Sequence, residues 1–133
     1  MAQNDRRPRR RGAGKAAPLA QDYSLVFRNP DSESYVAGVG MARLDDSSYV
    51  AVVPVVPRSQ WAARRPTQSR VPIIPSTDGG KTWKEVSRLP YYSGVPWLHR
   101  GKLFLFANRG GTEFRGDDLL ILALNLFPGS ERP

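Results

Sequence analysis

Apolar residues along the chain fall into short runs separated by glycines, prolines and polar clusters. Each run has the length of a β-strand, and none carries the extended periodicity of an amphipathic helix. The pattern therefore predicts an all-β chain. The apolar runs are Tyr23–Phe27, Tyr35–Leu44, Tyr49–Val56, Val71–Ile74, Trp83–Leu89, Gly94–Leu98, Lys102–Ala107 and Leu119–Leu124.

Polar clusters and prolines indicate how the first runs are connected. Asp45–Ser48 predicts a β-hairpin between the second and third runs, because Asp and Ser side chains bond to the backbone of tight turns. Pro54 and Pro57 are expected to end the pairing. A basic loop is then predicted from Pro57 to about Arg70. The next turn is the sequence STDGGKTW, which runs from Ser76 to Trp83.

The order of runs and turns then begins again. Leu44 and Leu98 are 54 positions apart, and Ile74 and Leu122 are 48 positions apart, a spacing typical of four-stranded propeller blades. The sequence predicts one blade over about residues 35–89 and an incomplete second blade over about residues 94–124. Two blades leave strand edges and apolar faces unpaired, so we expect an N-terminal part of a longer propeller. A two-blade protein completed by self-association is the alternative.

The net charge of +8 is concentrated near the start of the chain. Residues 1–20 contain six basic residues and one aspartate, which gives +5 and leaves +3 for the other 113 residues. The segment has no aromatic side chain to stack on a base. A disordered basic leader is therefore favoured over an arm that binds nucleic acid.

Cysteine and histidine content argues against a metal site or a cofactor. The chain has no cysteine and a single histidine, His99, so neither a disulfide framework nor a thiolate or histidine-rich metal site is expected. The apolar runs are too short for a membrane span. Ala17–Ala20 is similar to the end of a secretory signal, but the apolar segment that should precede it is missing, which leaves the cellular location open.

The STDGGKTW turn consists of residues suited to a tight connection between strands. Asp78 can accept hydrogen bonds from N–H groups two to four residues ahead, and Gly79 and Gly80 permit positive φ. A calcium loop is disfavoured, since only Asp78 supplies a carboxylate nearby. We expect a structural role for Ser76, Asp78, Gly80, Thr82 and for Trp83, which is available for burial.

The STDGGKTW turn resembles the Asp-box, or BNR repeat, whose pattern is S/T-x-D-x-G-x-T-W. That motif occurs in six-bladed sialidases (neuraminidases) and in other propeller families. Phe27-Arg28-Asn29-Pro30 is similar to the F/Y-R-I-P element of sialidases, with Asn29 in place of isoleucine. Over about residues 23–124 the chain looks most like bacterial exo-α-sialidases. The resemblance implies that Arg28 helps to clamp the carboxylate of a sialic acid.

The loops at the end of the predicted blade opposite the STDGGKTW turn are the expected ligand-binding region. In an antiparallel blade, the turns after strands 1 and 3 share one end, and the remaining loops share the other. These loops offer cations for an anionic sugar, aromatic rings for stacking and polar groups for hydroxyls. The candidate substrate-binding residues are Arg58, Trp61, Arg64, Arg65, Tyr91, Tyr92, Asn108, Arg109, Glu113 and Arg115.

Catalysis by this chain alone is not expected. Resemblance to sialidases implies a tyrosine nucleophile with a glutamate partner and an aspartate acid/base. That aspartate should precede the first Asp-box, yet the interval Val53–Thr77 contains neither Asp nor Glu. The other catalytic residues of the family belong to later blades. Two hypotheses follow: an N-terminal portion of a sialidase-like glycoside hydrolase that recognises an acidic or other glycan, or a non-catalytic β-propeller module that binds glycan or protein.

Overall fold

The computed structural model of the protein describes residues 22–62, 68–108 and 119–126, with the side chains of Trp61 and Ala62 left out. This part of the chain is all-β, with antiparallel sheets and one short helix. The predicted basic leader, residues 1–20, lies outside it. The strands are β1 Ser34–Val36, β2 Gly40–Arg43, β3 Tyr49–Val52, β4 Val55–Pro57, β5 Val71–Ser76, β6 Ser87–Leu89, β7 Ser93–His99, β8 Lys102–Asn108 and β9 Leu119–Leu124, and the helix is α1 Arg58–Ala62.

The first sheet has four strands in the order β2-β3-β5-β6, each antiparallel to the next. The hairpin predicted around Asp45–Ser48 is confirmed by the pairing of β2 with β3. Its turn is closed by a hydrogen bond from the N–H of Leu44 to the carbonyl oxygen of Ser48, at 2.8 Å. Asp45 supports the turn by accepting a bond from the N–H of Ser47 at 2.9 Å.

The second sheet contains β7, β8 and β9 in that order. Trp97 on β7 lies opposite Phe104 on β8, which lies opposite Ala123 on β9. The last predicted run coincides with β9. Strands β7 and β8 are longer than predicted because pairing continues to Ser93 and Asn108, beyond the apolar positions.

Two predicted strands are interrupted. Tyr35–Leu44 divides into β1 and β2 where Gly38 takes a φ of 58°. Tyr49–Val56 divides into β3 and β4 around Pro54, which has no N–H to donate to a sheet. The separated pieces β1 and β4 form a ribbon of their own, with Tyr35 opposite Val56. The ribbon lies next to one end of the first sheet, because β1 leads into the start of β2 and β4 continues from the end of β3.

Two further expectations are wrong. The predicted basic loop starts as the helix α1. The predicted strand Trp83–Leu89 is regular only in β6. Lys84 still donates its N–H to Pro75 at 3.2 Å and Val86 donates to Ile73 at 3.0 Å. Because Pro75 has no N–H to return the first bond, the ladder is incomplete there.

The main core lies between the two sheets. Buried side chains of β3 and β5 pack against those of β8, and the cluster consists of Val50, Val52, Val71, Ile73, Leu103, Leu105 and Ala107. A smaller cluster on the far face of the first sheet contains Ala51, Val53 and Ile74, covered by Val26, Phe27 and Trp83. The first sheet therefore carries apolar contacts on both faces, although Met41, opposite Ala51, is 54% exposed on the far face.

Candidate functional site

The STDGGKTW turn connects β5 to β6 at the same end of the first sheet as the β2–β3 turn. The N–H of Gly79 donates to the carbonyl oxygen of Ser47 at 2.8 Å, which joins the two turns. This contact confirms that Asp45–Ser48 and the STDGGKTW turn share one end. The ribbon of β1 and β4 lies at the opposite end of the sheet, and β5 begins there.

Asp78 organises the STDGGKTW turn through its carboxylate. Oδ1 accepts hydrogen bonds from Ser76 Oγ at 2.8 Å, from the N–H of Lys81 at 3.0 Å and from the N–H of Thr82 at 2.9 Å. Oδ2 accepts from Thr82 Oγ1 at 2.5 Å. The hydroxyl and N–H of Thr82, followed by the Ser76 hydroxyl, lower the pKa of Asp78 to about 2. The carboxylate is thus occupied by its own turn, as expected for a structural role.

Trp83 completes the turn and attaches the N-terminal segment to it. Its Nε1 donates to the carbonyl oxygen of Gly80 at 2.9 Å and to Ser24 Oγ at 3.1 Å. The ring covers the cluster that contains Val53 and Ile74. Gly80 has a φ of 84°, a conformation that residues with a Cβ rarely adopt. The turn therefore holds the sheet and the segment before β1 together.

The opposite end carries a second group of polar side chains, the Tyr35 cluster, which we define as Asn29, Tyr35, Arg58, Tyr92 and Asn108. Arg58 follows β4 and is held in three ways. Its N–H donates to Glu33 O at 2.7 Å, its Nε donates to Ser32 O at 2.7 Å, and its guanidinium carbon lies 5.8 Å from the centre of the Tyr35 ring.

Tyr92 brings the second sheet into the Tyr35 cluster. Its N–H donates to the carbonyl oxygen of Asn108 at 3.0 Å, just before β7 begins. The pKa of Tyr35 is raised, first by burial and then by the charge of Tyr92, whereas Arg58 acts in the opposite direction. Arg58 at the start of α1 and Tyr92 in the β6–β7 connection thus both influence the phenol of Tyr35 on β1.

Two asparagines near this end each have a buried amide oxygen. Asn29 Nδ2 donates to Ser34 O at 2.7 Å, which fixes the side chain beside β1. The Oδ1 atoms of Asn29 and Asn108 are buried and accept no hydrogen bond within the described residues. A buried acceptor without a donor is costly, and these two oxygens have almost no accessible surface through which a ligand could reach them.

The charge at this end is available. Arg58 is exposed, and only its Nε and main-chain N–H have hydrogen-bond partners in the part of the chain that the structure describes. The remaining guanidinium donors suit a carboxylate or another anion, and the aromatic rings beside them suit stacking against a sugar ring. The arrangement is therefore capable of binding an anionic ligand.

The other sequence-predicted site residues are distributed unevenly. Tyr91 is half-buried and packs against the core between the sheets. Arg28 is exposed beside Phe27, which covers the far face of the first sheet. The structure brings Arg58 and Tyr92 beside Tyr35, and Asn108 joins them through its main-chain oxygen. The side chain of Trp61 and the residues Arg64, Arg65, Arg109, Glu113 and Arg115 lie outside the described residues.

Tyr35 and Asn29 are the members of the Tyr35 cluster that the sequence did not indicate as site residues. In the sequence, Tyr35 is an ordinary strand position and Asn29 is a substitution in a motif. The available signal was Pro54, because it separates β3 in the first sheet from β4 in the ribbon that positions Tyr35.

The described residues contain neither a cluster of metal-ligating side chains nor a membrane-spanning helix. Among them there is no group of three or more His, Cys, Asp or Glu side chains placed to hold a metal ion. None of their helices is both long and apolar enough to cross a membrane.

Comparison with known proteins yields no match, since neither a protein-family model, nor a curated protein, nor a solved structure matches the chain. The functional interpretation therefore depends on the geometry of the two ends of the sheet and on the motif resemblance.

Proposed function

We propose that this chain is the N-terminal portion of a sialidase-like glycoside hydrolase, that it recognises an acidic or other glycan, and that it is inactive by itself. The observation that carries the proposal is the anchored Arg58 of the Tyr35 cluster, at the end of the sheet opposite the STDGGKTW turn. The resemblance of that turn to the Asp-box supports the family. Because the Asp78 carboxylate is bonded within its own turn, the turn is a poor binding site, which favours the other end of the sheet.

The chemistry of recognition follows from the contacts of Arg58. A guanidinium held at Nε keeps its outer donors in one plane, which suits the two oxygens of a sugar carboxylate. Tyr35 and Tyr92 add aromatic surface beside it. A neutral sugar would use only this aromatic surface, so we expect an acidic glycan to bind more tightly.

A non-catalytic β-propeller module that binds glycan or protein is the second candidate. It is favoured by the interval Val53–Thr77, which contains no carboxylate to act as the acid/base group. Both candidates share the Tyr35 cluster as the binding site. They differ in whether a complete parent protein hydrolyses the glycan that it binds.

Binding is tested by titrating the full chain with sialyllactose and with lactose, followed by NMR or calorimetry. We expect saturable binding of the acidic sugar and a loss of at least about ten-fold in affinity for Arg58→Ala, the scale of one charge-assisted hydrogen bond. Arg43→Ala is the matched control, because it removes the same charge at the other end, where Arg43 pairs with Asp46. Equal affinity for both sugars, or an equal loss in both variants, would contradict recognition by Arg58.

Hydrolysis is tested separately with a fluorogenic α-sialoside. The chain alone should release no fluorophore. The product of the full parent reading frame should release it if the hydrolase proposal is correct. Binding without turnover by that product would leave the non-catalytic module as the function.

A further inference from the structure

Asp78 is the only aspartate of the chain that is followed by glycine. Glycine has no Cβ to hinder its main-chain nitrogen, so this nitrogen can attack the side-chain carboxyl carbon of the aspartate before it and close a succinimide ring. The other aspartates are followed by larger residues. The STDGGKTW turn therefore contains the intrinsically most reactive aspartyl bond of the chain.

The rearrangement of this bond needs no reagent other than water. In the first step, Gly79 N bonds to Asp78 Cγ, and one carboxyl oxygen leaves Cγ as water with the amide proton and the proton of the acid. In the second step, water adds to the main-chain carbonyl carbon of Asp78, and the bond from that carbon to Gly79 N breaks. The chain then runs through Cγ. The product is isoaspartate, which has one extra methylene in the main chain and the same oxidation state.

The closed turn occupies the attacking nitrogen. The N–H of Gly79 donates to the carbonyl oxygen of Ser47 in the neighbouring turn, at 2.8 Å. Ring closure removes the proton that makes this bond. The contact that joins the two turns therefore has to break before Gly79 N can react.

The carboxyl group is held as well. Its two oxygens accept hydrogen bonds from Ser76 Oγ, from the N–H groups of Lys81 and Thr82, and from Thr82 Oγ1. Ring closure converts one of these oxygens into water and so removes part of the set. The same bonds, that of the Thr82 hydroxyl first, lower the pKa of Asp78 to about 2. At neutral pH the protonated acid, the form that loses water, is therefore scarce.

We infer that Asp78–Gly79 is a modification site, at which isoaspartate forms when the STDGGKTW turn opens, and that the closed turn protects it. Turns at the surface open locally more often than the core does. In the product, the free carboxylate belongs to the former main-chain carbon and is no longer placed to accept from Lys81 and Thr82. The turn cannot close again as before, so an opening that reacts leaves a permanent change.

Asp31 provides a comparison within the same molecule. It is exposed, it is followed by Ser32, and its carboxylate has no hydrogen-bond or ion-pair partner within the described residues. Trypsin places the two aspartates in separate peptides, residues 29–43 and residues 71–81, each with one aspartate. Isoaspartate in each peptide is measured by chromatography and mass spectrometry after the full chain has been incubated at neutral pH, with and without guanidinium chloride.

The order of the two rates should reverse on folding. In the unfolded chain Asp78 should react faster than Asp31, because glycine is less hindered than serine. In the folded chain Asp78 should react more slowly than Asp31. We expect folding to slow the reaction at Asp78 at least about ten-fold, which corresponds to a turn closed for more than about nine-tenths of the time.

Thr82→Val tests whether the hydrogen bonds of the turn give the protection. It removes one donor to the carboxylate, keeps the N–H and the branched shape, and should accelerate isoaspartate formation at Asp78 in the folded chain at least about three-fold, the scale of one exposed hydrogen bond. Thr77→Val is the matched control. The Thr77 side chain is exposed and its hydroxyl has no partner within the part of the chain that the structure describes, so this variant should react as the unmodified chain does.

Three results would overturn the inference: equal rates at Asp78 in the folded and unfolded chains, an unfolded chain in which Asp31 reacts faster, or equal effects of the two valine variants. Circular dichroism establishes whether Thr82→Val is folded. If it is not, Ser76→Ala replaces it, and an unchanged rate in that folded variant also counts against protection by the turn. The test does not involve a glycan, so its outcome is independent of the proposed function.

Discussion

At one end of the first sheet, the Asp78 carboxylate accepts hydrogen bonds from Ser76, Lys81 and Thr82 of its own turn. At the other end, Arg58 is fixed by Ser32 and Tyr35, and its outer donors face no hydrogen-bond partner among the described residues. Both ends use charged side chains held by short bonds. At the first end the donors and acceptors of the turn bond to one another, whereas at the second end the outer donors of Arg58 remain available. Substitutions should therefore reduce stability at the first end and ligand binding at the second.

The largest expected effect on stability is that of Trp83→Ala. The substitution removes the ring from the cluster on the far face, together with the bonds of Nε1 to Gly80 and Ser24. We expect the free energy of unfolding to fall by about 2 kcal/mol, less than for a fully buried tryptophan. Urea denaturation measures the change, with Tyr23→Ala, at a side chain 86% exposed, as the control. Equal losses in the two variants would contradict a structural role for Trp83.

Acid should destabilise the Asp78 end next. The turn lowers the pKa of Asp78 from 3.8 to about 2, so the ionised form is favoured by folding. Its contribution is complete above about pH 4 and disappears as the pH falls through about 2. Asp78→Asn should reduce stability at neutral pH and remove most of this acid dependence, as measured by thermal melts between these pH values. A parallel acid dependence in the variant and the unmodified chain would show that other carboxylates are responsible.

A smaller effect is expected from Gly80→Ala. With a φ of 84° at this position, an added Cβ costs about 1 kcal/mol in the folded state. The Cβ would lie 3.5 Å from Trp83 Cζ2, which is ordinary contact. Gly79→Ala, where φ is 76° and no atom lies within 4 Å, should therefore cost a similar amount in urea denaturation. A much larger loss at Gly80 alone would mean that the contact with Trp83 matters more than the backbone conformation.

The smallest effect on stability should come from the opposite end. Arg58→Ala removes an exposed side chain and is expected to change the free energy of unfolding by no more than about 0.5 kcal/mol, although it should abolish most binding of the acidic sugar. Arg58→Lys retains the charge but loses the planar group on Tyr35. Its affinity for the acidic sugar should therefore lie between that of the unmodified chain and that of Arg58→Ala. A stability loss as large as that of Trp83→Ala would remove the distinction between the two ends.

Local chemistry predicted the parts of the fold that depend on neighbouring residues. The Asp45–Ser48 hairpin and the hydrogen bonds of Asp78 follow from side chains within five positions of one another. The ribbon of β1 and β4 did not follow, because apolar periodicity does not reveal where a run leaves one sheet for another. The interrupted strand after Trp83 depends on Pro75 in the opposing strand, which a scan of single runs does not consider.

The candidate site was predicted only in part for the same reason. Arg58, Tyr92 and Asn108 were indicated by the order of strands and loops, since that order assigns each loop to one end of a sheet. The role of Tyr35 depends on the pairing of β1 with β4, which brings it beside a residue far along the chain. Its contact with Arg58 is a product of tertiary structure and has no signature in the residues around it.

The bond between Trp83 and Ser24 joins residues that are 59 positions apart in the chain. Val26 and Phe27, just after Ser24, pack on the cluster of Ala51, Val53 and Ile74. The segment before β1 is therefore tied at its start to the STDGGKTW turn and leads at its end to the ribbon that carries Tyr35. One stretch of chain thus spans the first sheet from end to end, so a substitution that frees Trp83 should also loosen the approach to Tyr35.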